Sequence, residues 1–160
     1  MDTVLSPLTI ALVGCGKSKL DHAAPAHQLY TGSLFVAAAR WAAECDGWHI
    51  LSAKFGLLDP EKVIEPYELR LGPKDRQQWG QVVANTVVLH MFETGPYELV
   101  LLAGEDYAAP VREAMRGSNE HGWRLNCVNV RAPLEGLGIG QRLAWFKKER
   151  AVAGAPVGPV

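Results

Sequence analysis

A chain of 160 residues, 48% of them hydrophobic and 21% charged, has the length and composition of one folded domain with one sizeable core. Its net charge of −1 excludes a global field that would pull it onto nucleic acid or anionic lipid, so any basic patch must be assembled by folding. Cys15, Cys45 and Cys127 are odd in number and far apart, which argues against a disulfide framework or a CxxC zinc site and for reduced thiols in a cytoplasmic protein.

The N-terminal stretch has a short apolar run with no basic segment before it, and no apolar run is long enough to span a bilayer. Neither a signal peptide nor a membrane helix is expected. Leu8–Val13 reads as a buried strand stopped by Gly14. Ser33–Cys45 is Ala-rich and periodic, and reads as a helix with Ser33 as its N-cap. Trp48–Ser52 is a second strand, breaking into a glycine-containing loop, Lys54–Leu58. Pro73 to about Glu93 is the longest helix, with Trp79, Val82, Val83, Val87 and Met91 at near-helical spacing, although VVANTVV is a run of weak helix formers. Tyr97–Ala103 is a third strand, and Tyr107–Met115 a helix with Pro110 near its first turn. Trp123–Val130 is a fourth strand, and Ile139 to about Arg150 a closing helix with Trp145 and Phe146 inward. Residues 151–160 have no periodicity and read as a loosely ordered tail on a domain of residues 1–150. Strands alternating with helices predict an α/β fold: a single domain with a mostly parallel sheet and helices on both faces.

In such sheets ligands sit outside the carboxyl ends of the strands, and the candidate chemical residues fall there. After the first strand, Gly14-Cys15-Gly16-Lys17-Ser18-Lys19 can aim N–H groups and two lysines at an anion, or can be a tight turn with solvated lysines. The GxxxxGK[ST] spacing of a P-loop is absent. Cys15 is a nucleophile if the lysines lower its pKa, and otherwise a small hydrophobe. Asp21, His22 and His27 offer acid–base groups without a fixed partner. Tyr30 can stack on a planar base or simply pack, while Thr31 and Ser33 read as capping residues. Lys54 is a Schiff-base nucleophile, a phosphate ligand or a solvated side chain. Pro66 holds Glu65 extended, and Tyr67 adds an aromatic face. Together Lys54, Glu65 and Tyr67 make a pocket for a polar planar ligand. In Gly104-Glu105-Asp106-Tyr107 the acids either hydrogen-bond a sugar hydroxyl or favour a helix start. Gly138 and Gly140 have the wrong position and spacing for a dinucleotide fingerprint, but they open a helix whose N–H groups can face an anion. The histidines and cysteines show no ligand spacing, so neither metal nor cofactor is expected.

The stretch ILSAKFGLLDPEKVIEPYELRLG, from Ile50 to Gly72, resembles the "ILSG-YGLL-P-D-I-PYRL-MG" pattern of the YaaA family, bacterial proteins associated with peroxide stress, and of its shorter relatives. The first strand with KSKL, then LYTGSLF, VLLAGEDY and the terminal glycine-to-helix segment follow in a similar order, so the resemblance covers most of the chain. It implies a compact α/β fold and association with DNA. By position it carries over Lys17, Lys19, Ser52, Lys54, Gly56, Glu65, Pro66 and Tyr67 as pocket residues. The chain is much shorter than YaaA proteins, Cys15 and Gly16 replace Ser-Pro-type residues, and Ala53-Lys54 replaces a glycine-containing turn.

The expected function is that of a YaaA-like, nucleic-acid-associated enzyme acting on a nucleobase, a nucleotide or a damaged DNA site. Lys54, Glu65 and Cys15 are its candidate catalytic residues. Lys17, Ser18, Lys19, Tyr30, Ser52, Gly56, Tyr67, Gly104, Tyr107, Gly138 and Gly140 are its candidate binding residues. The alternatives are a non-catalytic DNA- or RNA-binding module and an enzyme for a free nucleoside or nucleotide, the last of which suits the net charge best.

Overall fold

The computed structural model describes residues 6–120 and 126–154. Its elements are β1 (Leu8–Gly14), β2 (Ala24–Pro25), α1 (Ala26–Leu29), α2 (Ser33–Ala43), β3 (Gly47–Ser52), β4 (Gly56–Leu58), β5 (Val63–Ile64), α3 (Arg76–His90), β6 (Tyr97–Leu102), α4 (Glu105–Glu120), β7 (Cys127–Arg131) and α5 (Ile139–Gly154). Five strands form one sheet in the order β4-β3-β1-β6-β7, in which β3, β1, β6 and β7 run parallel and β4 is antiparallel to β3. This is the expected α/β domain with a mostly parallel sheet.

β1 and β6 are apolar along their length because both of their faces are covered. Ile10, Leu12, Leu99 and Leu101 point to one side, where Trp79, Val83 and Val87 of α3 pack with Val111 and Met115 of α4. Ala11, Val13, Val100 and Leu102 point to the other, where Phe35, Ala38 and Ala42 of α2 pack with Phe146 of α5. Alanines on α2 and glycine on α3 let the layers approach closely. A Cβ on Gly80 would lie 2.5 Å from the carbonyl oxygen of Pro110 in α4.

Several boundaries differ from the sequence reading, each for a local reason. Gly32, not Ser33, is the cap position of α2: its backbone is extended, its carbonyl accepts the Val36 N–H at 2.9 Å, and Ser33 is already helical. α3 begins at Arg76 because Gly72–Asp75 is spent on a turn, closed by the Asp75 N–H on the Gly72 carbonyl at 3.0 Å. Its weak formers are held helical by burial of Val83, Ala84 and Val87, whereas Val82 faces solvent. α4 starts at Glu105, with two acids in its first turn, so Pro110 sits inside the helix. The segment after β3 is not only a loop: Gly56, at φ +68°, turns the chain back into β4, which pairs Ser52 with Gly56 and Ile50 with Leu58. α5 continues to Gly154. Residues 123–125 of the expected fourth strand and 155–160 of the expected tail lie outside the described residues.

Three small elements unseen in the sequence position the site. β2 pairs antiparallel with β5, and α1 is tied below by the Ala26 N–H on Lys62 O (2.8 Å) and the His27 N–H on Pro60 O (2.9 Å). This clamp brings Tyr30 beside Tyr67. The chain leaves β1 for α2 on one face and leaves β6 for α4 on the other, so the crossovers diverge between β1 and β6. A crevice is expected outside the strand ends at such a switch point.

Candidate functional site

A cleft of about 880 Å³ opens there. Its floor is Gly14-Cys15-Gly16 after β1 and Ala103-Gly104 after β6. The two turns touch so closely that a Cβ on Gly14 would lie 2.8 Å from the Cβ of Ala103. The walls come from Phe35 of α2, the stretch Tyr67–Leu71, Tyr107 of α4 and Arg142 of α5. The Arg142 side chain is anchored by Nε donating to the Leu137 carbonyl at 2.8 Å. Its Nη1 lies over Gly104, 3.3 Å from where a Cβ would stand.

The charges in this cleft are sorted unevenly. Its two α4 carboxylates are taken: Glu105 pairs with Arg112 at 3.5 Å and Asp106 with Arg76 at 3.3 Å. Lys17, Lys19, Arg70 and Arg142 also line it, and among the described residues none of them pairs with a carboxylate. Folding has built the basic patch that the net charge withheld.

Beside the cations runs a chain of three hydroxyls. Ser52, at the carboxyl end of β3, is the buried polar residue among the described ones, with no exposed surface. Its Oγ accepts the N–H groups of Lys54 (3.2 Å) and Phe55 (3.1 Å) and lies 2.6 Å from the Tyr67 hydroxyl, which lies 2.5 Å from that of Tyr30. A buried hydroxyl needs such partners, and here they link one strand end to the clamp. Burial pushes the Tyr30 phenol up to about 12, and raises Tyr67 further against the opposing hydrogen bond from Ser52. The Tyr67 ring meets two ammonium groups, Lys19 Nζ 5.0 Å and Lys54 Nζ 5.5 Å from its centroid. Cys15 Sγ lies 4.0 Å from the Tyr107 hydroxyl, whose pKa burial also raises. Tyr107 in turn rests edge-on against Trp79, and Trp79 Nε1 donates to Ser52 O at 2.9 Å.

The structure therefore brings together Cys15, Lys17, Lys19, Tyr67, Gly104 and Tyr107 around the cleft, with Tyr30 and Ser52 behind Tyr67. Ser18 is exposed, and its carbonyl serves the clamp by accepting the Thr31 N–H at 2.9 Å. Gly56 is required by its positive φ in the β3–β4 turn rather than by a place in the cleft. Lys54 is exposed and reaches only the aromatic flank, and Glu65 is exposed, borders no part of the cleft and makes no ion pair among the described residues. Gly138 and Gly140 are exposed outside the cleft, and the Gly138 N–H already donates to Gln141 Oε1 at 2.9 Å, a reach-back that caps α5. His22 pairs with Asp21 at 2.8 Å and His27 lies 3.7 Å from Glu61, both away from the cleft. Among the described residues no group of three or more His, Cys, Asp or Glu is placed to hold a metal ion.

Arg70, Arg142 and Phe35 are site residues that the sequence reading missed. Arg70 lay in plain view inside the family-like stretch ELRLG. Arg142 had no local signal, because only the docking of α5 against the β6 turn makes it a neighbour of Gly104.

A model of DUF6884, a family of unknown function, matches residues 10–148. The chain belongs to this family. A UPF0246 protein from Psychrobacter arcticus is 27% identical over 106 residues, which are 57% of this chain and 39% of that protein. The chain thus spans about two fifths of the length of this curated relative. UPF0246 is the YaaA family, so the resemblance carried by Ile50–Gly72 is a distant kinship. No solved structure matches the chain. No helix among the described residues is long and apolar enough to cross a membrane.

Proposed function

We propose that this DUF6884 member binds a nucleotide, free or as one unit of a nucleic acid, in the cleft at the carboxyl edge of its sheet, and acts on the base. The observation that supports this best is the set of four cations, Lys17, Lys19, Arg70 and Arg142, left without carboxylate partners in a cleft whose α4 acids are paired off and whose remaining carboxylate, Glu68, they outnumber. Such a set is shaped for phosphate, with Arg142 able to give a two-pronged contact and the lysines acting as point charges. Tyr67, flanked by Lys19 and Lys54, supplies the flat polar wall for the base. Cys15, between the floor glycines and beside Tyr107, is the reacting group in this reading, kept as a reduced thiol in the cytoplasm.

Thermal-shift titration tests the binding. AMP, GMP, CMP, UMP and inorganic phosphate are each added to millimolar concentration, and at least one nucleotide is expected to raise Tm, because a ligand that binds only the native state stabilises it by mass action. No shift with any of them sinks the reading. Gel shifts with single- and double-stranded DNA and RNA then separate a free nucleotide from a unit of nucleic acid, since a strand laid across Lys17 and Arg70 binds with an affinity that falls steeply with salt. Once a substrate is found, Cys15→Ser should abolish turnover and keep binding, while Glu65→Gln should leave turnover intact. The opposite pattern would return the chemistry to Lys54 and Glu65.

A further inference from the structure

We infer that the hydroxyl chain behind the cleft fixes Tyr67 as a hydrogen-bond donor to the ligand, so that the cleft selects a base presenting an oxo group over one presenting an amino group at that edge. This rests on the nucleotide reading above and adds which bases are taken.

The inference is a count of protons. A serine hydroxyl has one proton to give and two lone pairs to fill. The N–H groups of Lys54 and Phe55 occupy both lone pairs of Ser52 Oγ, so its proton goes to Tyr67 Oη, 2.6 Å away. One hydrogen bond joins the two phenols, at 2.5 Å, and only one of them can donate in it. The other keeps a proton, and for Tyr30 the neighbouring acceptor, Ser52 Oγ, is already taken by the two backbone N–H groups. If Tyr67 donated, the unused proton would sit on Tyr30, whose side chain is buried with 1% of its surface exposed. A buried donor without a partner is costly. If Tyr30 donates, both lone pairs of Tyr67 are filled by Ser52 and Tyr30, and the unused proton sits on the one phenol of the pair that borders the cleft. This second arrangement satisfies every buried group.

The neighbours reinforce the choice. The ammonium groups of Lys19 and Lys54, close to the same ring, also have protons to give and no lone pair to receive one. Burial raises both phenol pKa values, so at neutral pH neither ionises to a phenolate. A ligand edge placed against Tyr67 and these two lysines meets donors. A carbonyl oxygen is served by them, and an exocyclic amino group faces its own kind. Sites that hydrogen-bond a particular ligand group discriminate strongly, because the mismatched ligand leaves buried groups unpaired.

The experiment is calorimetric titration with two pairs of probes that exchange one oxo group for one amino group, IMP against AMP and UMP against CMP. Wild type is expected to bind IMP and UMP at least about tenfold more tightly than AMP and CMP. Tyr67→Phe should bring at least one pair to within about twofold, and Tyr30→Phe should keep the wild-type preference, since Ser52 still fills one lone pair of Tyr67 and its proton remains free. A purely structural role for the chain would make the two variants alike. Equal affinity within both pairs in wild type, with Arg142→Ala still weakening all four, overturns the inference and leaves nucleotide binding standing. So does an oxo preference that survives Tyr67→Phe. Absence of binding by all four probes overturns both. The wild-type ratios alone decide the matter should a Tyr67 variant fail to fold.

Discussion

The groove between α3 and α4, about 640 Å³, adjoins the cleft, and the two share Glu105 and Asp106 at the start of α4. Arg76 of the groove pairs with Asp106 at 3.3 Å, and Arg112, outside the groove lining, pairs with Glu105 at 3.5 Å. The groove is floored by a helix crossing so tight that Gly80 touches the Pro110 carbonyl. Its Arg76–Asp106 pair and its locked backbones are what a structural seam requires, with Glu113 the lining acid left outside an ion pair among the described residues. On the cleft side the same acids are already spent, and Glu68 is the lining carboxylate left against four cations. The two hollows thus share one row of helix-start acids, and the cleft keeps an excess of cations.

If the groove is a seam, a single methyl in it should cost more stability than truncating any of the cleft's four cations. Gly80→Ala places a Cβ 2.5 Å from backbone, which no side-chain rotation relieves. The expected loss is about 1–3 kcal/mol in urea unfolding. Nucleotide affinity of the folded fraction should be unchanged. A loss below about 0.5 kcal/mol, the level of ordinary surface changes, would show that the helices slide apart freely there.

The complementary change strikes the cleft. Arg142→Ala should weaken nucleotide binding by about tenfold or more, since charge-assisted contacts to phosphate are the strong ones, with stability altered by only about 0.5 kcal/mol. Arg76→Ala removes a cation from the groove and frees Asp106 where groove and cleft meet, so affinity should fall, but by less than for Arg142→Ala. Equal effects of the two arginines on binding would erase the distinction between the hollows.

How far this contrast could be read in the sequence depends on the range of the contacts. β1 and β6 were plain because strands covered on both faces are continuous apolar runs, and the turns after them located the cleft from Gly14 and Gly104. β4, β2, β5 and α1 were missed because two to four residues carry no period, and their pairing is decided by distant partners. Tyr30 and Tyr67 were each singled out as aromatic faces. Their hydroxyl link is invisible locally, since it exists only after β2 meets β5. The grouping of Lys54 with Glu65 failed to appear for the same reason in reverse. Closeness in sequence suggested a pair, and the return of the chain through β4 carried Glu65 away from the cleft wall. Arg142 shows the limit, as a cation one turn into the last helix matters only through docking.

The smallest predicted effect sharpens the structural side of the contrast by pH. His49 of β3 shares the sheet face of Leu51, the α3 side, and stacks on His90 at the end of α3 with ring centroids 5.6 Å apart. Burial, and then the neighbouring His90, lower the His49 pKa below its ordinary 6.5, with Asp59 opposing. The unfolded chain therefore takes up this proton at a higher pH than the folded one. Stability contributed by the neutral ring is complete above pH 6.5 and is lost progressively as pH falls below it toward the folded value. Because the ring is only part-buried, the loss should stay below about 1 kcal/mol. His49→Gln should flatten that part of the urea-unfolding profile between pH 7 and 5. Nucleotide affinity, set in the other hollow by arginine and lysine, should show no matching step assignable to His49. A profile equally steep in the variant would move the pH sensitivity to another group.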